Sequence, residues 1–146
     1  MSEHTVIAIK SGDAWELDVL GVPYGGPNNG RDSDGEYFSA QTKLYLDKYP
    51  SVPAVYYHGY DENGAPASEP QIIGKTVNYE VKQDGVWFRV VLDQANDYAR
   101  RVWEAAKNGV ARASSGSIAH LRRVARDGHI THWPVAELSI FDAVGK

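Results

Sequence analysis

The chain contains no cysteine. It can build no disulfide framework, thiolate nucleophile or cysteine-based zinc site, so a covalent nucleophile has to be serine, threonine, lysine or a carboxylate. Positive charge is not in excess either. Fifteen lysines and arginines stand against 19 aspartates and glutamates, for a formal net charge of −4, and no global field draws the protein toward nucleic acid. No apolar run approaches the ~20 residues that a membrane-spanning helix needs. Met1 to Lys10 lacks a basic start followed by an apolar stretch, so no secretory signal is read there. The protein is therefore expected to act in the compartment where it is made. Internal repeats and low-complexity segments are missing as well.

What is present reads as one globular domain over residues 1–146, with 42% hydrophobic and 23% charged residues. Thr5 to Ile9 is rich in β-formers. Trp15, Leu17 and Val19 alternate with Glu16 and Asp18, the period of a half-buried strand. Gly21 to Gly35 carries turn chemistry and reads as a loop. Ser39 is placed to cap a short helix over Ala40 to Lys48, bounded by Pro50. Pro53 to Tyr57 reads as a strand running into His58-Gly59, and Gly64 to Pro70 as a loop. Ile72–Val81 and Val86–Leu92 are predicted strands of a hairpin turning at Gln83-Asp84-Gly85. Asn96 to Asn108 has the clearest helical pattern, with Asp97 in its first turn and Gly109 after its end. Val110 to Val124, Ile130 to Trp133 and Val135 to Phe141 complete a strand-rich second half. Many short strands with two helices predict a mainly β (α+β) fold, a small barrel or tightly folded mixed sheet. Strict βαβ alternation, the mark of a doubly wound fold, is missing.

Three segments carry candidate chemistry. Taken as a strand, Val110 to His120 puts Ala111, Ala113, Ser115, Ser117 and Ala119 on one face, all small. Arg112, Ser114, Gly116, Ile118 and His120 fall on the other. Ser114 then points to the accessible side and Ser115 into small-residue packing, while Gly116 lets another chain approach the backbone. His58 is either a packed structural histidine or a general base, since imidazole titrates near neutral pH. Glu137 interrupts the apolar run Val135-Ala136-Glu137-Leu138-Ser139-Ile140. It either lies with Ser139 on a solvent face or is a carboxylate partnered by a histidine, which offsets the cost of its burial.

Two other segments carry residue types that bind metals. Asp32-Ser33-Asp34-Gly35-Glu36 suggests a calcium loop, but the register that puts glycine sixth brings Gly30 to the first ligand position and Gln41 to the last. It reads as a turn. His120, His129 and His132 are candidate zinc ligands with Asp127 or Glu137, but their spacing matches no strong zinc pattern. No metal and no cofactor are expected. The basic cluster Arg122, Arg123 and Arg126 is a solvated face or an anion site.

Taken together, several segments resemble the tailed-bacteriophage prohead (head maturation) protease family. They are Glu16 to Pro23, Asp34 to Phe38, Tyr56-Tyr57-His58-Gly59, Ile73-Gly74-Lys75, Gly85 to Phe88, Ala113-Ser114-Ser115-Gly116-Ser117 and Trp133 to Ser139. The order of histidine, Ser-Ser-Gly and Glu-Leu-Ser is the most specific part. The resemblance implies a closed β-barrel flanked by helices, like that of the herpesvirus assemblin proteases, and a His-Ser pair with a third polar member. The family's histidine falls on His58, its Ser-x-Gly nucleophile on Ser114 and its late carboxylate on Glu137. The chain departs from the family where Ser117, rather than a large apolar residue, follows the glycine. The doubled serine leaves Ser115 as an alternative nucleophile, and His120 stands as an alternative third member. Backbone N–H groups near Ser115 and Gly116, helped by Arg122 or Arg123, are the candidate oxyanion donors.

The resemblance further implies action in the host cytoplasm, inside the viral procapsid. Scaffolding protein, the major capsid protein and the protease itself are the expected substrates, and a homodimer is the expected assembly. Many relatives carry a C-terminal tail; with Lys146 soon after Glu137, a trimmed or self-cleaved form is expected. The rival classes are a catalytically inert capsid-assembly domain of the same fold and a metal-dependent hydrolase using His120, His129 and His132.

Overall fold

The computed structural model describes residues 4–11, 13–25, 35–49, 51–56 and 71–141. Among these residues the strands are β1 (His4–Ser11), β2 (Ala14–Pro23), β3 (Pro53–Tyr56), β4 (Gln71–Lys82), β5 (Gly85–Leu92), β6 (Arg112–Ser117), β7 (Arg123–Val124), β8 (Ile130–His132) and β9 (Val135–Phe141), and an α-helix, α1 (Asp97–Lys107), lies between β5 and β6. The fold is mainly β. Seven strands run in the order β1-β2-β5-β4-β3-β9-β6. The sheet curls until β1 meets β6 at the pairs His4↔Ala113 and Thr5↔Arg112, which close the ring among the described residues. β7 and β8 form a separate two-stranded ribbon.

Alternation builds the barrel wall. Leu17 and Val19 of β2 and Val86, Phe88, Val90 and Leu92 of β5 are buried. Glu16 and Asp18 face outward and share Arg89 of β5, whose Nη1 lies 2.9 Å from Glu16 Oε1 and Nε 2.6 Å from Asp18 Oδ1. β4 and β5 form the expected hairpin, with Gly85 at φ +144°, where an added Cβ would run into the Val22 carbonyl. Helix α1 starts where expected. The Asn96 side chain accepts from the Tyr98 and Ala99 amides at 2.8 and 3.1 Å, satisfying two of the first-turn donors. It buries Ala99, Val102, Trp103, Ala105 and Ala106, and Trp103 stacks on Trp15 of β2 at 5.9 Å.

Three expectations fail, each for a tertiary reason. Residues 40–48 form turns, not a helix. Ser39 Oγ does accept from the Gln41 amide, but Lys43 and Leu44 spend their peptide groups on a distant segment. Lys43 N donates to Thr131 O, Trp133 N to Lys43 O and Val135 N to Leu44 O, at 2.9, 2.8 and 3.2 Å. One of the two expected helices is therefore replaced by strand-like pairing. The loop expected from Gly21 begins later, because β2 runs on through Pro23 across an irregularity between Leu20 and Val22 and buries Val22. The expected strand from Val110 to Val124 is broken. β6 stops at Ser117, a 3₁₀ turn spans Ala119–Leu121, and β7 follows. No helix among the described residues is long and apolar enough to cross a membrane.

Candidate active site

β6 and β9 are antiparallel neighbours, with Ser114 opposite Ser139 and Gly116 opposite Glu137. Directly opposed residues in such a pair have Cα atoms roughly 4.5–5.5 Å apart and side chains on the same face. Ser114, Gly116, Glu137 and Ser139 therefore share one face. Ala113, Ser115, Leu138 and Ile140 share the other, and that face is the core, since Ala113, Leu138 and Ile140 belong to the buried apolar cluster. On its far side β9 pairs in parallel with β3, Val55 opposite Ser139. Val55, Ser139 and Ser114 thus form a row across three strands on the outside of the barrel. This outer face is not open to water along its length: Val55 is 2% exposed and Ser139 0%.

The two serines separate as alternation requires. Ser115 is 8% exposed, and its Oγ accepts from Trp133 Nε1 at 3.1 Å. The Trp133 ring meets Phe38 edge-on at 5.2 Å, so Ser115 ties β6 to an aromatic pair. Ser114 is half-buried on the outer face.

Glu137 is half-buried and lies against Gly116. A Cβ at position 116 would come within 2.8 Å of Glu137 Cγ and 2.9 Å of Oε1. Gly116 is thus needed for the carboxylate of the same chain, beyond the approach of another chain that the sequence suggests. Ser139, fully buried, donates from Oγ to Glu137 Oε1 at 3.3 Å. The simple reading of Glu137 and Ser139 as a solvent face fails on the burial of Ser139. The sequence does carry the Glu-Leu-Ser spacing that puts both side chains on one face, but it gives no sign of Ser139's burial. Trp133 as the partner of Ser115 has no sequence signal, because the contact depends on how β6 and β9 are paired.

His58 lies outside the described residues, as does the stretch 26–34 that holds most of the rejected calcium-loop motif. The strand that would put His120 on the face of Ser114 ends at Ser117, and His120 sits exposed on the 3₁₀ turn beyond an irregularity between Gly116 and Ser117. Arg122 and Arg123 also lie past the end of β6. The Arg122 guanidinium sits 5.3 Å from the Trp133 ring centre, and Arg123 Nη1 donates to the His120 and Arg122 carbonyls at 3.0 and 2.8 Å. His120, His129 and His132 are not gathered. His129 Nε2 is 2.7 Å from Ser39 Oγ with its ring on Tyr37, and His132 Nδ1 is 2.9 Å from Thr131 Oγ1 with its ring on Tyr45. No group of three histidine or carboxylate side chains that could hold a metal ion occurs among the described residues.

No family model, no curated protein and no solved structure matches the chain.

Proposed function

We propose that this chain is a serine endopeptidase that cleaves scaffolding and capsid precursor proteins, and itself, during maturation of a viral procapsid. One observation carries the reading. The three segments that resemble the prohead protease motifs lie far apart in sequence, yet the strands that bear or lead into them are immediate neighbours. β3 ends at Tyr56, two residues before His58; β9 carries Glu137; β6 carries Ser114. In this reading the curled seven-stranded sheet is an assemblin-like barrel.

The chemistry is acyl transfer. Ser114 Oγ attacks the peptide carbonyl while His58 takes its proton and returns it to the leaving amine. Glu137, diagonal to Ser114 across the ribbon and roughly 7 Å from it, holds the imidazole tautomer and balances the imidazolium. Water then releases the acyl group by the same route. A backbone N–H group of the Ser115–Gly116 segment that is not bonded to β9 holds the oxyanion; a lost donor of that kind typically costs about 10²–10³ in rate. Ser115 is the weaker nucleophile candidate, because its hydroxyl faces the core and is tied to Trp133.

The test is co-expression with the scaffold and capsid precursors. Ser114→Ala is expected to lower cleavage by at least about 10³-fold, while Ser115→Ala retains most of it. Full cleavage by Ser114→Ala rules out Ser114, and full cleavage by both variants rules out a serine mechanism at this run. Precursors left uncut by the unmodified protein in assembled procapsids favour the inert assembly domain.

A further inference from the structure

Past the end of β6 and the start of β9 the surface opens into a cavity of about 380 Å³. Leu121 and Arg123, which follow β6, form part of its wall, with Pro134 beside β9. Tyr45, Lys48 and Tyr49 line it from the segment that precedes β3, and His132 completes the lining.

The cavity is held by backbone rather than by loose side chains. The bonds from Lys43 and Leu44 to residues 131–135 fix one wall to β8 and β9. Tyr45 has φ 58°, alone among the described non-glycine residues in being positive. Its carbonyl accepts from the Lys48 and Tyr49 amides, both at 3.1 Å, and its ring stacks on His132 at 6.2 Å. A left-handed tyrosine persists only where its surroundings over-determine it, and such positions cluster at binding sites.

Its charge runs against that of the whole chain. Lys48 and Arg123 bring two cations, and no carboxylate of the described residues lines the cavity. Neither cation has an ion-pair partner among the described residues. The carbonyls of His120 and Arg122 fix the Arg123 guanidinium without neutralising it. The nearest acid in sequence, Asp47, is in contact with Tyr79, whose hydroxyl lies 3.4 Å from its Oδ1. Two tyrosines, a leucine and a proline add apolar surface. A ligand matching both features has a carboxylate beside an apolar or aromatic group, and the volume lies at the lower end for small-ligand sites.

Position selects the source of that ligand. Ser117 is opposite Val135, the neighbour of Pro134, and Ser117 lies three residues beyond Ser114 on β6. At the rise of an extended chain that is roughly 10 Å. We propose that the cavity is a substrate subsite for an acidic side chain next to an apolar or aromatic one, about three residues from the bond that is cut. The assignment to substrate rests on the endopeptidase reading; the carboxylate-binding chemistry does not.

The experiment uses the full chain as Ser114→Ala, titrated with a short capped peptide of glutamate and phenylalanine and with its glutamine counterpart. The glutamine peptide is expected to bind about tenfold more weakly. Lys48→Glu and Arg123→Glu are each expected to weaken the glutamate peptide severalfold in protein that remains folded, as both side chains are exposed. Equal binding of the two peptides, or indifference to both reversals, overturns the proposal. So does displacement of the peptide by a short oligonucleotide at lower concentration, which assigns the cavity to nucleic acid. The reversals are also made in the active protein. If precursors are cut equally well and peptide binding is unchanged, the cavity assignment fails and the endopeptidase reading stands. If the peptide preference holds but the unmodified protein cuts nothing, the carboxylate site stands and the endopeptidase reading fails.

Discussion

The two faces of the β6–β9 ribbon are made from alternating residues of the same two short strands, and they are built differently. The inner face sets Ala113 against Ile140 and Ser115 against Leu138, all buried. The outer face sets Ser114 against Ser139 and Gly116 against Glu137, a polar row with one glycine in it. A strand's period of two keeps packing and chemistry a single residue apart. Two adjacent serines can therefore have unrelated duties, and the neighbour across the strand decides which serine has which.

The contrast can be broken from either side. The largest effect on stability is expected from the inner face. Leu138→Ala removes a fully buried side chain and should cost about 2–5 kcal/mol in chemical denaturation, with any loss of cleavage following the loss of folded protein. On the outer face, Gly116→Ala pushes a methyl group into Glu137. On the endopeptidase reading, cleavage should fall by roughly 10²-fold, the scale of a misplaced catalytic group, while stability falls by only about 1–2 kcal/mol. A fall in stability with cleavage per folded molecule unchanged would separate Glu137 from the chemistry. The smallest effect is expected for Ser139→Ala, about 1 kcal/mol, the ordinary scale of one hydrogen bond. If Ser139 positions Glu137, the variant should also shift the pH profile of cleavage, and Ser139→Thr should restore part of it. A change in stability alone would make Ser139 a packing residue.

The sequence is legible where local chemistry decides. The β4–β5 hairpin follows from Gln83-Asp84-Gly85 and the flanking alternation. Helix α1 follows from Asn96, Asp97 and Gly109. The opposite facing of Ser114 and Ser115 follows from the run of small residues at Ala111, Ala113 and Ser115. Legibility ends where distant backbone competes. Ser39 to Lys48 has a cap and a helical length, yet bonds from Lys43 and Leu44 to residues 131–135 hold it in turns on either side of a short strand-like pairing. Nothing local marks Ser117 as the end of β6, because that end depends on the irregular register with Val135 and on the bond from Ile118 N to Pro134 O at 3.0 Å. The adjacency of β3, β9 and β6 is a property of sheet order, which alternation within a strand does not encode.

That adjacency also governs timing. β9 is the last strand of the barrel, and it lies between β3 and β6, pairing in parallel with the one and antiparallel with the other. Ala54 and Leu138 meet across most of the length of the chain, so the contact comes at the price of a large loop closure and forms slowly. β3 and β6 are synthesised before β9. Until it arrives Ser114 has neither Ser139 nor Glu137 beside it, and Gly116 has nothing to accommodate. Any joint action of Ser114 and that carboxylate must wait for the strand to dock.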